Sequence, residues 1–196
     1  MNRHNVVFDT SFGVPEQLPP PEFLEIAFSG KSNVGKSSMI NKLFNRRQLA
    51  RVSSMPGKTV TINFFKLDHI RFADLPGYGY AKVAKKEKQR WSKLMEAYFR
   101  SERDLGLVFQ LLDARHKPTE NDLVMINFLI DSEIPFVIVL TKIDKLSNTG
   151  RTARLEALKT EVPEGEDITM IPFSAVTGEG VEDVWGIIEE IAAQEQ

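Results

Sequence analysis

The sequence predicts an α/β domain: a mostly parallel, six-stranded sheet with helices on both faces. Two observations carry this. From residue 23 onward, apolar runs of strand length alternate with stretches of helical periodicity, the order that buries a parallel sheet between helices. Four short polar motifs also fall at the carboxyl ends of successive predicted strands, the edge where open α/β sheets bind ligands. At 196 residues and 42% hydrophobic content, the chain has material for one well-buried domain.

The first 22 residues hold Pro15, Pro19, Pro20 and Pro21 and read as an extended N-terminal extension, with VVF as a short edge strand. The domain proper is expected over residues 23–196. FLEIAF is its first strand, followed by a helix from Lys36 to about Phe44. TINFFKLD and HIRFAD are neighbouring strands, close enough to pair antiparallel. A long helix over 85–101 places Trp91, Leu94, Met95, Tyr98 and Phe99 at helical spacing. Next come the strand LVFQLLD and a helix around TENDLVMINFLI, where Thr119 and Asp122 have the spacing of a capping box. The strand FVIVLT, a helix around TARLEALK, the strand ITMIPFS and the helix VEDVWGIIEEIA complete the order. There is no internal repeat.

Composition excludes several classes. With no cysteine there are no disulfides, thiolate metal sites, cysteine nucleophiles or cysteine-linked lipid anchors. No apolar run reaches membrane-spanning length and the N-terminus lacks the apolar core of a signal peptide, so a cytoplasmic protein without a membrane partner is expected. Charge is unevenly spread: residues 31–103 hold 17 Lys/Arg against 5 Asp/Glu, and residues 104–196 hold 7 against 18. Either one side of the fold meets an anionic partner, or two oppositely charged faces keep the domain soluble.

GKSNVGKSS, between a strand and a helix, matches GxxxxGK[ST]. The backbone of Gly30, Lys31, Ser32, Asn33, Val34 and Gly35 would cradle phosphates with the helix N-terminus behind it. Lys36 would reach the β- and γ-phosphates, the Ser37 hydroxyl would ligate Mg²⁺, and Ser38 lies next in line for the α-phosphate. Asp74 and Gly77 form DxxG: the carboxylate can hold Mg²⁺ through water, and the Gly77 N–H can sense the γ-phosphate. In TKIDK, Asp144 could accept two hydrogen bonds from the N1 and N2 edge of guanine, and the Lys142 stem could cover the ring. Thr141 and Lys145 flank that pair, and Ser174, Ala175 and Val176 end the next strand. The order of the four motifs favours guanine nucleotides over a metabolic P-loop kinase.

GKSNVGKSS, SSMPGKT, INFF, DLPGYGYAKV, DARHKPTENDL and LTKIDK, across residues 30–145, resemble stretches of the translation-factor-related P-loop GTPases. In detail they are similar to the EngB (YihA/YsxC) family of ribosome-biogenesis GTP-binding proteins; FSAVTGEG and the Pro-rich start extend the likeness to nearly the whole chain. The resemblance implies a Ras-like fold and slow GTP hydrolysis to GDP and phosphate with Mg²⁺. It further implies a role with the large ribosomal subunit and its rRNA, linked to cell division and septation. No DNA partner is expected, and a monomer is. By the same resemblance Gly57 and Thr59 belong to a switch loop, Thr59 supplying a second hydroxyl to Mg²⁺, with Thr61 at the start of the following strand as the alternative. Thr141 stands where asparagine is commoner.

Tyr78 follows DxxG, where signalling GTPases carry a glutamine that orients water. Compensation is expected from Asn33, which among resembling proteins goes with a bound monovalent cation, here K⁺. Lys36, Asn33, Thr59 and Gly77 are therefore the expected catalytic set. His4, His69 and His116 lack metal spacing. Off the apolar stripe of the long helix, Lys85, Lys86, Lys88, Gln89, Arg90 and Lys93 form either a solvated face or an RNA contact. Arg115 and His116 have no sequence-based assignment.

Overall fold

The computed structural model describes residues 1–50, 60–79 and 85–194. The strands are β1 (Val7–Phe12), β2 (Leu24–Gly30), β3 (Ile62–Leu67), β4 (Ile70–Asp74), β5 (Leu105–Asp113), β6 (Phe136–Thr141) and β7 (Met170–Pro172). The helices are α1 (Lys36–Leu43), α2 (Lys85–Arg100), α3 (Glu120–Asp131), α4 (Asn148–Glu161) and α5 (Val181–Gln194). All strands join one sheet in the order β1-β3-β4-β2-β5-β6-β7; β1 and β4 both run antiparallel to β3, and the other pairings are parallel.

The sheet thus has seven strands among the described residues, not six. The added strand is β1, longer than the VVF expected at the edge. Its polar centre, Asp9-Thr10-Ser11, hides the strand pattern in sequence, and a register shift between Phe8 and Thr10 interrupts its pairing with β3. At the other edge β7 is only three residues, shorter than ITMIPFS suggests.

Helices cover both faces because β2, at the centre, sends alternate side chains in opposite directions. Ile26 and Phe28 enter a core with Phe44 of the α1 end, Phe72, Phe109 and Trp185 of α5. Ala27 enters the opposite core with Phe64, Leu94 and Tyr98 of α2, and Met125 and Leu129 of α3. A third cluster, Leu112, Ile138, Leu140 and Leu158, packs α4 against β5 and β6. Trp185 is fully buried, donates from Nε1 to Leu43 O at 2.9 Å and stands edge-on to Phe44.

The lead-in is tied to the same body. Val6 is fully buried, and Arg3 makes a two-pronged contact with Glu182 of α5 at 2.6 and 2.7 Å. Glu25 of β2 is fully buried and receives Arg103 Nη1 at 2.8 Å and the Tyr98 hydroxyl at 2.9 Å. Arg103 also donates to Pro19 O, and Arg71 to Pro20 O, so the proline segment closes over a compensated buried charge. Burial first, and then Glu25, pushes the Tyr98 phenol well above its ordinary range. Among the described residues no helix is long and apolar enough to cross a membrane.

Candidate functional site

β2 delivers the chain to Gly30, and α1 starts six residues later at Lys36. The turn between them needs two left-handed residues, Asn33 at φ 64° and Gly35 at φ 108°. Asparagine tolerates the first; the second, as the N-cap, favours glycine. A hydrogen bond from Val34 N–H to Lys31 O closes the turn. The loop therefore wraps the N-terminus of α1, where backbone donors and the helix dipole favour an anion.

Parallel pairing of β2 with β4 sets Phe28 opposite Asp74, bringing that carboxylate to the start of α1. The Lys36 ammonium is paired with Asp74 Oδ1, and both side chains are largely buried. Asn63 Nδ2 reaches Asp74 Oδ2 at 3.4 Å. A cation, a carboxylate and the Ser37 hydroxyl position thus share the mouth of the loop.

Gly77 lies directly against the loop. A β-carbon there would sit 2.9 Å from Ser32 Oγ and 3.2 Å from Ser32 Cα, so no larger residue fits without displacement. Ser32 N–H donates to Tyr78 O at 2.9 Å, fastening the segment after DxxG across the loop. The Tyr78 side chain turns inward: its hydroxyl donates to Asp122 Oδ1 at 2.7 Å and accepts from Gln110 Nε2 at 2.7 Å. Burial, reinforced by the Asp122 carboxylate, drives that phenol far above its usual range. Tyr78 is neutral and directed into the core. Trp91 Nε1 donates to Pro76 O at 3.0 Å, tying α2 to the same segment.

At the end of β6, Thr141 Oγ1 lies 2.6 Å from Val34 O and 3.2 Å from Leu112 O, both acceptors for its proton. The hydroxyl therefore braces the phosphate loop. Lys142, at φ 60°, donates to Asn33 O and to Asp113 Oδ2, each at 2.9 Å. Arg115 donates to both oxygens of Asp113, at 2.9 and 2.8 Å. Burial alone would raise the Asp113 carboxyl, but the hydrogen bonds from Arg115 and Lys142 outweigh it and hold it well below the usual range. Arg115 thus gains a place: it anchors the carboxylate that fixes Lys142. Asp113 itself escapes sequence reasoning, although it opens the DARHKPTENDL stretch.

Asp144 Oδ1 accepts from Ser174 Oγ at 2.7 Å, and Lys145 approaches Oδ2 at 3.3 Å. The Ser174 bond above all keeps this carboxyl lowered and ionised. Ser174 Oγ in turn accepts from the N–H groups of Val176 and Thr177 at 3.2 and 3.1 Å, so TKID and SAV form one unit. Ala175 follows Ser174, and Val176 is 74% exposed.

The structure gathers the phosphate loop, Asp74, Gly77, Thr141 to Lys145 and Ser174 to Val176 at one edge of the sheet. Gly57 and Thr59 lie outside the described residues. On α2, Lys85, Lys86, Lys88, Gln89 and Lys93 are exposed as expected. Arg90 is not part of that free face: its Nε donates to Gly13 O at 3.0 Å. The cause is the lead-in, which passes beside α2 where sequence periodicity could not place it. His4, His69 and His116 are all exposed, and no cluster of three or more His, Cys, Asp or Glu able to hold a metal occurs among the described residues.

Residues 25–142 match the model of a family described as 50S ribosome-binding GTPase. The chain is 46% identical over 190 residues to "Probable GTP-binding protein EngB" of Exiguobacterium sibiricum, covering 96% of this chain and 98% of that protein. It is also 46% identical over 191 residues to the protein of the same name from Limosilactobacillus reuteri, covering 97% of each. Among solved structures, a crystal structure of a probable GTP-binding protein engB superposes with a TM-score of 0.69 at 22% identity, covering 87% of this chain and 99% of that one. Era in complex with MgGDPNP and nucleotides 1506–1542 of 16S ribosomal RNA superposes at 0.65 and 22% identity, covering 87% and 57%. Those two likenesses establish the shared fold.

Proposed function

The chain belongs to the EngB family of GTP-binding proteins and is a P-loop GTPase, and from that premise we propose that it is a nucleotide-gated assembly factor for the large ribosomal subunit, working in the cytoplasm and linked through ribosome supply to cell division. The carrying observation is the exposed lysine face of α2, Lys85, Lys86, Lys88 and Lys93, directly after the segment that Gly77 and Tyr78 fasten to the phosphate loop. A basic surface coupled to a nucleotide-sensing segment suits an RNA phosphate contact made in one nucleotide state. The matched family's description, 50S ribosome-binding GTPase, supports the same partner.

In this reading the backbone from Gly30 to Gly35 cradles the phosphates, Lys36 moves from Asp74 to the β- and γ-phosphates, and Ser38 faces the α-phosphate. The donors near Lys36 fit Mg²⁺, because a hydroxyl and a carboxylate are the hard oxygens it takes beside substrate phosphates. Ser37 would ligate it directly, Asp74 through water, and Thr59 from the switch loop. Bound there, Mg²⁺ would supply charge neutralisation to the phosphates. Asp144 reads guanine while the Lys142 stem covers the ring, held in place by Asn33 O and Asp113. Gly77 N–H senses the γ-phosphate. With Tyr78 directed into the core, the chain lacks a water-orienting amide at that position, so unaided turnover is slow. Asn33 would help to hold a K⁺ ion, whose charge would offset that lack.

Co-sedimentation with ribosomal subunits, in GDP and in a non-hydrolysable GTP analogue, tests the assembly reading. Large-subunit binding should be stronger with the analogue. Equal absence in both states would remove the ribosomal role and leave the GTPase.

A further inference from the structure

Beside the phosphate loop lies a second concavity of about 550 Å³, between Lys31 and the turn from β5 into α3. Its walls share Lys31 to Val34 and Lys142 with the nucleotide site, but Lys36, Ser37, Asp74, Asp144 and Ser174 do not line it. That volume falls in the range of small-ligand sites, about 300–1,000 Å³, and exceeds what one ion needs.

The lining is cationic in balance. Lys31 and Lys117 open on it with the His116 ring beside them, Arg115 and Lys142 outnumber the one carboxylate they hold, and its two acids are already engaged. Asp113 is held by Arg115 and Lys142, two cations on one carboxylate. Asp122 accepts from the Tyr78 hydroxyl and from Thr119 N–H and Oγ1, each at 2.7 Å. Lys31 has no carboxylate within 4.0 Å among the described residues, and Lys117, 81% exposed, approaches Glu161 only at 3.7 Å. The α3 N-terminus adds its partial positive charge on the same side.

We propose that this cleft docks a nucleotide unit of single-stranded RNA, its phosphate set between Lys31 and Lys117 and its base beside His116 and Pro118. A phosphate matches the excess charge; an imidazole is a surface on which an unstacked base can lie. The proposal rests on the ribosomal RNA reading above. Asp122 ties the cleft to the nucleotide-sensing segment, since the carboxylate on its wall also holds Tyr78.

The test uses the full chain saturated with the non-hydrolysable GTP analogue, labelled hexauridylate as probe, and fluorescence anisotropy over a salt series. His116→Ala with Lys117→Glu should weaken binding about tenfold and lower the salt slope by about 0.7, the value for one phosphate that Lys117 no longer neutralises. GDP affinity should not change. Lys117→Gln removes the charge without setting a carboxylate beside Glu161, and should show a smaller loss in the same direction. Unchanged affinity and slope in both variants would place RNA elsewhere. Displacement of the RNA by inorganic phosphate at equal phosphate concentration would overturn the RNA assignment and leave a free-phosphate site. Sedimentation with large subunits separates the two readings. If wild type and variant sediment equally and hexauridylate binding is unchanged, the cleft proposal fails and the assembly role stands. If wild type does not sediment while its hexauridylate binding still depends on Lys117, the reverse holds.

Discussion

The hydroxyl of Tyr78 donates to Asp122 Oδ1 at 2.7 Å inside the protein, while the carbonyl of the same residue receives the Ser32 N–H at 2.9 Å. One residue thus joins α3 to the phosphate loop. Tyr78→Phe keeps the ring and removes the hydroxyl, leaving buried Gln110 and Asp122 each short of a partner. An unsatisfied buried group costs about 1–3 kcal/mol, so the urea midpoint should fall with an unchanged slope. Single-turnover GTP hydrolysis should not accelerate, because phenylalanine orients no water. An unchanged midpoint would mean that the buried bond carries no stability.

Asp113 gives the protein a predictable acid limb. Its folded pKa lies below the unfolded value of about 3.9, so its contribution is fully present above that pH and is lost as pH falls through the folded value. Asp113→Asn should lower stability at neutral pH by no more than about 1 kcal/mol, since the site is partly solvent-screened. The gap between variant and wild type should narrow below about pH 4. Urea titrations at several pH values measure it; a gap independent of pH would remove Asp113 as its source.

The phosphate loop, DxxG, TKID and SAV are legible in the sequence because each is a local run whose chemistry follows from its own backbone. The capping box of α3 is legible for the same reason: Thr119 and Asp122 are three residues apart. Contacts between distant residues are not. Glu25 reads in sequence as a charge inside an apolar strand, and only the fold brings Arg103 and Tyr98 to it. Tyr78 stands visibly in place of a water-orienting residue, but its inward direction depends on Gln110 and Asp122, 32 and 44 residues away. Arg90 looks like one more cation on a basic face because nothing local announces Gly13.

Guanine selectivity should rest on Asp144. The carboxylate is held ionised by Ser174 Oγ and matches two donors on the guanine edge. Asp144→Asn should shift preference toward xanthine nucleotides, measured by competition binding. A variant that prefers GTP by the original margin would show that the base is read elsewhere.

The basic face of α2 should contribute to RNA binding through charge. Lys86→Glu with Lys88→Glu changes two exposed residues and leaves the Arg90 bond to Gly13 intact. Large-subunit binding should weaken, and its salt slope should fall by about 1.4 to 1.8 when two phosphates are no longer neutralised. Nucleotide affinity should be unaffected. A slope that does not move would assign the rRNA contact to a different surface.

Asn33 sits on the crest of the phosphate loop, exposed, at φ 64°, with its side chain making no hydrogen bond among the described residues. A side-chain oxygen at that place can ligate a monovalent cation together with phosphate oxygens. Positive charge would then stand where an arginine finger acts in other GTPases, offsetting the inward turn of Tyr78. Alanine is a poor probe here, because a left-handed conformation costs an ordinary residue roughly 1–2 kcal/mol. Asn33→Gly keeps the backbone and removes the ligand, and Asn33→Asp keeps an oxygen. Single-turnover hydrolysis in K⁺ and Na⁺ at equal ionic strength should be faster in K⁺ for wild type. The difference should vanish in Asn33→Gly, return at least partly in Asn33→Asp, and leave GDP binding intact in both. Identical wild-type rates in the two salts would end the cation role and leave any acceleration to a partner, the proposed ribosomal one first.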